Sequence, residues 1–451
     1  MKKIVALLAC IAVSCVIFQA CGQNKELTIQ PPSSENTGGE DKTPEPEPGP
    51  VDNIATKRTM EMGLGWNLGN NLDAYEEDPD DKDYLMPSET VWGNPKATQQ
   101  AINKVKEAGF TTIRIPVTWL AKIGPAPDYK IDAQWMARVT EVVGYARNAG
   151  FKNVIVDTHH DEDHDNNHWQ SLKKASKDPK VNEQIKAEIK AVWTQIANNF
   201  KNSGEWLMFE GFNELNDGGW GHSDEFKANP TIQCRILNEW LQVFVDAVRN
   251  TGGNNATRWL GCATYCANPT FAKYLSLPKD SANKLMVSVH FYDPSDFTLG
   301  KEGPDGKDYL PYSDWGHTGK AGLKHPNYGE EYVQEIFGML YNNYIAKGIP
   351  VYIGEFGCSR RDKQNDPRGW AYSLYYMEYV AKAARTYCLP AVLWDCGGKG
   401  VPGPEHHYYI RHDTGAYYPD AKEAIDAIMK GWFSEDPDYT LQSVYNNAPV
   451  L

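Results

Sequence analysis

Leu207-Met-Phe-Glu-Gly-Phe-Asn-Glu214 and Val351-Tyr-Ile-Gly-Glu-Phe-Gly357 are each an apolar run that ends on a carboxylate. A short apolar run without alternation reads as a strand covered on both faces. Each of these two strands therefore delivers a glutamate, Glu214 or Glu355, at its C-terminal end. Leu64–Gly69, Thr112–Val117, Asn153–His159, Arg258–Thr264, Met286–Tyr292 and Ala391–Asp395 read the same way. Helical periodicity fills the intervals, most clearly over Lys96–Ala108, Gln134–Asn148, Asn182–Phe200, Thr231–Asn250, Glu330–Lys347, Trp370–Tyr387 and Asp420–Phe433. Gly109, Gly150 and Gly348 stand where helices take a C-terminal glycine. Strand-helix alternation eight times over predicts an α/β fold, a single (β/α)8 TIM barrel. The rival is an open doubly wound sheet, which wants a glycine-rich phosphate turn between its first strand and helix. Gly63-Leu-Gly-Trp-Asn-Leu-Gly-Asn70 has such glycines, but they fall within the strand.

The chain has 451 residues, enough for one large core without several independent domains. Its formal net charge of −14 argues against binding a phosphate backbone, which requires a basic face, so no nucleic-acid partner is expected. Lys2 and Lys3 precede an apolar stretch, Ile4 to Phe18, too short to span a bilayer comfortably. That stretch runs into Phe18-Gln-Ala-Cys21, which resembles a bacterial lipobox with lipid on Cys21. Ala12-Val-Ser-Cys15 is a second candidate that would shorten the apolar region. A segment rich in Pro, Glu, Ser and Gly follows, with Thr43-Pro-Glu-Pro-Glu-Pro-Gly-Pro50 at its centre, and reads as an extended tether. The expected organisation is a lipoprotein signal peptide over 1–20, a lipidated Cys21 and linker over 21–53, and a barrel domain over 54–451, expected to be monomeric. Such a chain would be anchored through Cys21 at the outer-membrane surface or periplasmic face of a Gram-negative bacterium. Cys234, Cys262, Cys266, Cys358, Cys388 and Cys396 remain in the body. Cys262-x-x-x-Cys266 lacks a nearby pair to complete a zinc set, and the six read as buried thiols rather than bridges.

In a barrel of this kind the chemistry sits where the strands stop. Strand one ends at Asn67, Asn70 and Asp73, strand two carries Arg114, and strand three ends in His159-His160. Strand four gives Asn213-Glu214, strand six His290-Phe-Tyr292, strand seven Glu355 and strand eight Trp394. Two glutamates on facing strand ends are what a retaining glycosidase needs, and their carboxyl oxygens are then expected about 5 Å apart. Taken singly, Glu214 or Glu355 would read as a solvated loop charge, Arg114 as a core ion pair and Trp394 as core packing. Among the remaining tryptophans, Trp169 and Trp220 follow strands three and four and are candidate sugar platforms; Trp119 and Trp315 read as packing.

Gly65-Trp-Asn-Leu-Gly-Asn70, Ile113-Arg-Ile-Pro116, Asp157-Thr-His-His160, Phe212-Asn-Glu214, His290-Phe-Tyr292, Ile353-Gly-Glu-Phe356 and Trp394 together resemble glycoside hydrolase family 5. The likeness spans roughly Met60 to Phe433 and is greatest to subfamily 4, which holds endo-β-1,4-glucanases, xyloglucanases and mixed-linkage glucanases. It implies Glu355 as nucleophile, held ionised by Arg114 and hydrogen-bonded by Tyr292. Glu214 would be the acid/base, its pKa above that of Glu355. Asn213 would hold the 2-hydroxyl of the reacting sugar, and His290 and His159 would orient acid and sugar. Asn70, Asp73 and His160 would reach neighbouring hydroxyls, and Trp394 would be the floor for a sugar's apolar face. A β-glucan partner, no cofactor and no metal follow from the same resemblance. The chain departs from it at Leu215-Asn-Asp, where proline is frequent, at Trp394-Asp-Cys-Gly-Gly-Lys399 with His406-His407, and in the long segment from Asp293 to Asn327.

Two other readings compete. A non-catalytic glycan-binding lipoprotein would use the tether and the aromatic loops without needing two glutamates. A metal-dependent hydrolase would use His159-His-Asp-Glu-Asp-His-Asp-Asn-Asn-His168, whose imidazoles and carboxylates are closely spaced.

Overall fold

A computed structural model of the chain describes residues 48, 51–78, 81–162, 168–303, 307–398 and 403–451. The signal segment, Cys21 and nearly all of the tether lie outside the described residues, as do 163–167 of the histidine-rich loop and Lys399.

Eight parallel strands close into a barrel: β1 (Gly65–Leu68), β2 (Thr112–Ile115), β3 (Asn153–Val156), β4 (Leu207–Glu210), β5 (Leu260–Ala263), β6 (Leu285–Phe291), β7 (Val351–Phe356) and β8 (Ala391–Asp395). Their order around the barrel is β1-β8-β7-β6-β5-β4-β3-β2. Nearly every strand residue is buried, because helices cover one face and the barrel interior the other. Alternation then splits the apolar residues into two cores. Ile155, Met208, Met286 and Tyr352 point inward and pack with Met62 and Trp259 as a plug inside the barrel. Neighbours such as Val154, Leu207, Phe209 and Val287 point outward into the shell shared with the helices.

The helices are α1 (Ile54–Met62), which brings Met62 to the inner plug, and an outer set. That set is α2 (Gln99–Glu107), α3 (Ala133–Asn148), α4 (Pro179–Asn199), α5 (Pro230–Asn250), α6 (Glu330–Asn343), α7 (Pro367–Thr386) and α8 (Ala421–Phe433). Local chemistry sets their starts: Thr98 and Asp132 cap α2 and α3 through side-chain bonds to Ala101 N and Trp135 N. On α5 the residues Leu237, Trp240, Leu241, Phe244 and Val248 recur at helical spacing and are buried. Truncating one of its leucines to alanine would cost about 2–5 kcal/mol. The short C-terminal helix Leu441–Asn446 packs its Leu441 and Val444 against the body.

The eightfold alternation needs one correction. No α-helix joins β5 to β6; two 3-10 turns, Tyr265–Ala267 and Pro269–Tyr274, lead into an extended stretch. Side chains on α5 hold that stretch instead. Asn238 donates to Tyr274 O and accepts from Ser276 N, while Gln242 donates to Lys279 O and accepts from Lys279 N. An open groove of about 560 Å³ lies along this seam. A two-stranded hairpin after β1, Tyr75–Asp78 with Asp81–Pro87, is a further addition to the expected barrel. The six cysteines of the body are unbridged thiols, five of them buried and Cys388 half-buried.

Candidate active site

At the C-terminal mouth of the barrel the organising side chain is Arg114, which is fully buried on β2. Its Nε donates to Glu210 Oε2 at 2.8 Å, and Nη1 donates to Glu355 Oε1 at 2.9 Å and to Asn67 Oδ1 at 3.1 Å. Nη2 meets Asp157 Oδ2 at 2.7 Å and Asn213 Oδ1 at 2.9 Å. One guanidinium thus faces three carboxylates, which hold its pKa well above the ordinary value against the opposing effect of burial.

Glu355 reaches Arg114 because β7 is irregular. Its register shifts against β6 between Ile353 and Glu355, a bulge of the kind that re-aims a side chain. Gly354 fits the bulge where a Cβ would come within 3.1 Å of His290 Nε2 and Ser288 Oγ, and its carbonyl accepts from Asn67. The second oxygen of Glu355 accepts from Tyr292 Oη at 3.0 Å. Glu214, half-buried, sits four residues beyond the end of β4, and its Oε1 lies 2.6 Å from His290 Nδ1. One oxygen of Glu214, one of Glu355 and a ring nitrogen of His290 all lie within 4.8 Å of one another.

Burial pushes the carboxyl groups of both Glu214 and Glu355 up to about 7. At Glu355 this corrects the sequence expectation of a depressed pKa: desolvation outweighs His290, Arg114 and Tyr292, which all favour the ionised form. The donors are nevertheless unequal. Glu355 accepts from two groups, while among the described residues Glu214 is hydrogen-bonded by the imidazole alone, so a proton shared by the pair rests on the Glu214 side. His290 and His159 are both pushed below the ordinary histidine range by burial, which keeps them neutral.

Around this pair the ring of Trp394 is half-buried and stacks parallel to His159, with centroids 5.6 Å apart. Gly69 lets it sit there, since a Cβ at that position would lie 2.8 Å from the indole. His159 is fixed by Asp157 through Nδ1 at 2.9 Å and turns Nε2 toward Glu355 Oε1 at 3.9 Å. Asn213 accepts from Arg114 and turns its amide toward Glu162 at 3.5 Å. His160 contacts Asp73 O through Nδ1 and packs against Tyr75 and Trp92. Asn70, half-buried with φ of 56°, turns the chain at the rim of β1. Trp169 is half-buried and donates to Asp161, whereas Trp220 is exposed on the loop after Glu214. Trp119 and Trp315 are fully buried, as packing residues should be.

The family model "Cellulase (glycosyl hydrolase family 5)" matches residues 73–400. The chain belongs to glycosyl hydrolase family 5. Endoglucanase A of Paenibacillus barcinonensis is 35% identical, over 84% of this chain and 90% of its own length. A solved Bacteroidetes-affiliated family 5 cellulase linked with a polysaccharide utilization locus is 41% identical, with a TM-score of 0.81 over 88% of this chain and 98% of that one. A subfamily 4 broad-specificity endoglucanase from Bacteroides salanitronis is 42% identical, with a TM-score of 0.77 over 89% of this chain and all of its own. As a family 5 glycosyl hydrolase, the protein cleaves O-glycosidic bonds with retention, using two glutamates.

In this glycosyl hydrolase Asp73 has a structural task as well. It is fully buried, and its carboxylate accepts the amides of Asn70 and Asn71 and so shapes the loop beside His159 and His160. Burial pushes its carboxyl up to about 7. Beside it, the Nδ1 atoms of His159 and His160 already have partners. His159 Nδ1 is held by Asp157, His160 Nδ1 by Asp73 O, and both Asp73 oxygens by amides. Asp73, His159 and His160 each bring one ligand atom within 4.8 Å of the others. Sequence reasoning missed Glu210 and Asp157 as partners of Arg114, and Trp92, which is 39% exposed beside His160. A carboxylate inside an apolar strand was the available signal for Glu210; nothing in the sequence marks Trp92.

Proposed function

We propose that Glu355 is the nucleophile and Glu214 the acid/base of an endo-acting hydrolase of β-1,4-glucan-type plant polysaccharides. The observation that carries this reading is the approach of the two carboxyls to within 4.8 Å, with the Arg114 and Tyr292 donors on Glu355 alone. Retaining enzymes keep the pair about 5 Å apart, while inverting ones leave room for water. In the first step a Glu355 oxygen attacks the anomeric carbon as Glu214 passes its proton to the departing glycosidic oxygen. Forming the ester removes the charge on Glu355, so the newly ionised Glu214 can take a proton from the incoming water. That water attacks the anomeric carbon and Glu355 leaves as carboxylate. Asn213, with Oδ1 tied to Arg114, offers its amide to the 2-hydroxyl, His159 presents Nε2 to the sugar, and Trp394 supplies the stacking floor. Asn70, His160, Trp169 and Trp220 would serve neighbouring sugars.

The glucan assignment is supported by the names of similar proteins: endoglucanases, a xyloglucanase of Paenibacillus pabuli and a lichenase of Caldicellulosiruptor sp. F32. The test is release of oligosaccharides from barley mixed-linkage glucan, xyloglucan, carboxymethyl cellulose and glucomannan, with Glu355→Ala alongside. Release lost in the variant supports the reading and names the substrate; no release from all four overturns it. We also propose export and lipid attachment at Cys21, supported by Lys2-Lys3, the apolar Ile4 to Phe18 and Phe18-Gln-Ala-Cys21. No described helix is long and apolar enough to cross a membrane. Replacing Cys21 with serine should then move the protein from the detergent phase to the aqueous phase.

A further inference from the structure

Glu210 has no role in the reaction written above, yet it is fully buried at the end of β4, four residues before Glu214. Alternation along β4 turns Leu207 and Phe209 outward and Met208 and Glu210 inward, so its carboxylate lies inside the mouth of the barrel. There it takes one whole edge of the Arg114 guanidinium, Nε at 2.8 Å and Nη2 at 3.4 Å. Ser288 on β6 fixes it from the other side, donating through Oγ to Oε1 at 2.8 Å. Gly261 on β5 leaves the room, since a Cβ there would lie 3.3 Å from the Glu210 Cβ and 2.2 Å from the Tyr352 hydroxyl.

A planar guanidinium held along one edge has a fixed direction at its opposite end. We propose that Glu210 is a positioning residue that clamps the Nε edge of Arg114 and so aims Nη1 at Glu355. The inference rests on the assignment of Glu355 and Glu214 made above. Arg114 without this clamp would keep Asp157 and Asn213 on Nη2, and would be free to turn about them. The charged and titratable groups around the clamp are Arg114 on β2, Asp157 on β3, Cys262 on β5, His290 on β6, and Tyr352 and Glu355 on β7, with Glu214 beyond its own strand. The negative charge of Glu210 raises Glu214, so removing it lets Glu214 ionise at lower pH. Arg114, no longer held along its Nε edge, donates less well to Glu355, and Glu355 ionises at higher pH.

The experiment is the pH dependence of kcat and KM of the full-length protein on an aryl β-cellobioside, for wild type, Glu210→Gln and Glu355→Ala. Glu210→Gln should lose about tenfold to a hundredfold in kcat with KM little changed, as expected for an interaction that matters in the transition state. Its profile should narrow, the limb set by Glu214 moving to lower pH and the limb set by Glu355 to higher pH, each by about half a unit to one unit. A variant that keeps the wild-type profile, whatever its rate, overturns the proposal, because mere packing would not move the limbs. Should Glu210→Gln fail to fold, Ser288→Ala decides. A fall in kcat of about two- to fivefold at unchanged KM supports the clamp, and a wild-type kcat overturns it. If wild type shows no hydrolysis, or Glu355→Ala retains it, the hydrolase assignment fails and the clamp with it. If Glu355→Ala alone is dead, the profile of Glu210→Gln judges Glu210 separately.

Discussion

Arg114 and Arg258 are the most deeply buried arginines among the described residues, and their surroundings are opposite. Arg258, just before β5, is held by neutral acceptors: Asn255 Oδ1 and the carbonyls of Phe200, Ser203, Gly204 and Leu207, at 2.7 to 3.1 Å. Burial pushes it down to about 10. Arg114, at the other end of the strands, gathers Glu210, Asp157 and Glu355, with Glu214 close by. Neutral dipoles are enough to satisfy a buried cation, as Arg258 demonstrates. The carboxylates around Arg114 therefore exceed what structure requires, and burial, more than their mutual repulsion, makes Glu214 and Glu355 hold protons that chemistry can use. In barrels of this kind stability sits at the N-terminal end of the strands and reaction at the C-terminal end.

The largest effect should come from removing a carboxylate at the reactive end. Glu355→Ala should lower glucan hydrolysis by about 10⁴-fold or more, measured as reducing-sugar release, while the fold persists. Survival of activity within tenfold of wild type would collapse the contrast between the two ends. Glu214→Gln should lose about 10³-fold on glucan and less on aryl glycosides with good leaving groups. The same variant should gain stability at alkaline pH. Because the Glu214 carboxyl is raised to about 7, the folded state holds its proton more tightly than the unfolded state does. Its contribution is then fully present below the unfolded value of about 4.3 and is lost as pH rises toward the folded one. Glu214→Gln should accordingly be about 1–2 kcal/mol more stable than wild type at pH 8 and no more stable at pH 4, by denaturant titration.

The arginines themselves sharpen the comparison. Arg114→Met should lose about 100-fold or more in activity, and about 3–5 kcal/mol at pH 8 where its carboxylates are left charged. That penalty should shrink at pH 5 as they protonate. Arg258→Met should cost about 3 kcal/mol at both pH values and leave the pH profile of hydrolysis unmoved. Equal pH sensitivity in the two variants would break the contrast. The smallest effect belongs to the rim, where Trp92→Ala should raise KM for long oligosaccharides about threefold to tenfold with kcat unchanged.

Much of this was legible because it depends on residue order. Apolar runs gave all eight strands, and β7 and β8 have the expected ends. Others stop early: β3 ends at Val156, because the Asp157 side chain takes Val117 N where the ladder would have continued. Glu214 likewise stands beyond β4, on a turn that the apolar run of Phe212 concealed. The eightfold repeat implies a helix between β5 and β6, though no helical periodicity marks one there, and Pro269 and Pro278 shorten that connection into turns and extended chain. The loop-shaping bonds of Asp73 are not legible in sequence, because a carboxylate that accepts its own loop's amides looks there like one facing a ligand. The raised pKa of Glu355 was hidden for a different reason: desolvation is set by all the strands together, while Arg114 is one visible neighbour.

The missing helix also divides the molecule in time. Where Asn238 and Gln242 hold the stretch from Tyr274 to Lys279, single side-chain amides replace the cooperative ladder that protects the other connections. A ladder opens as a unit, but such clasps release one at a time. In heavy water the backbone amides of that stretch should acquire deuterium well before those of α5, making it the first part of the outer ring to loosen.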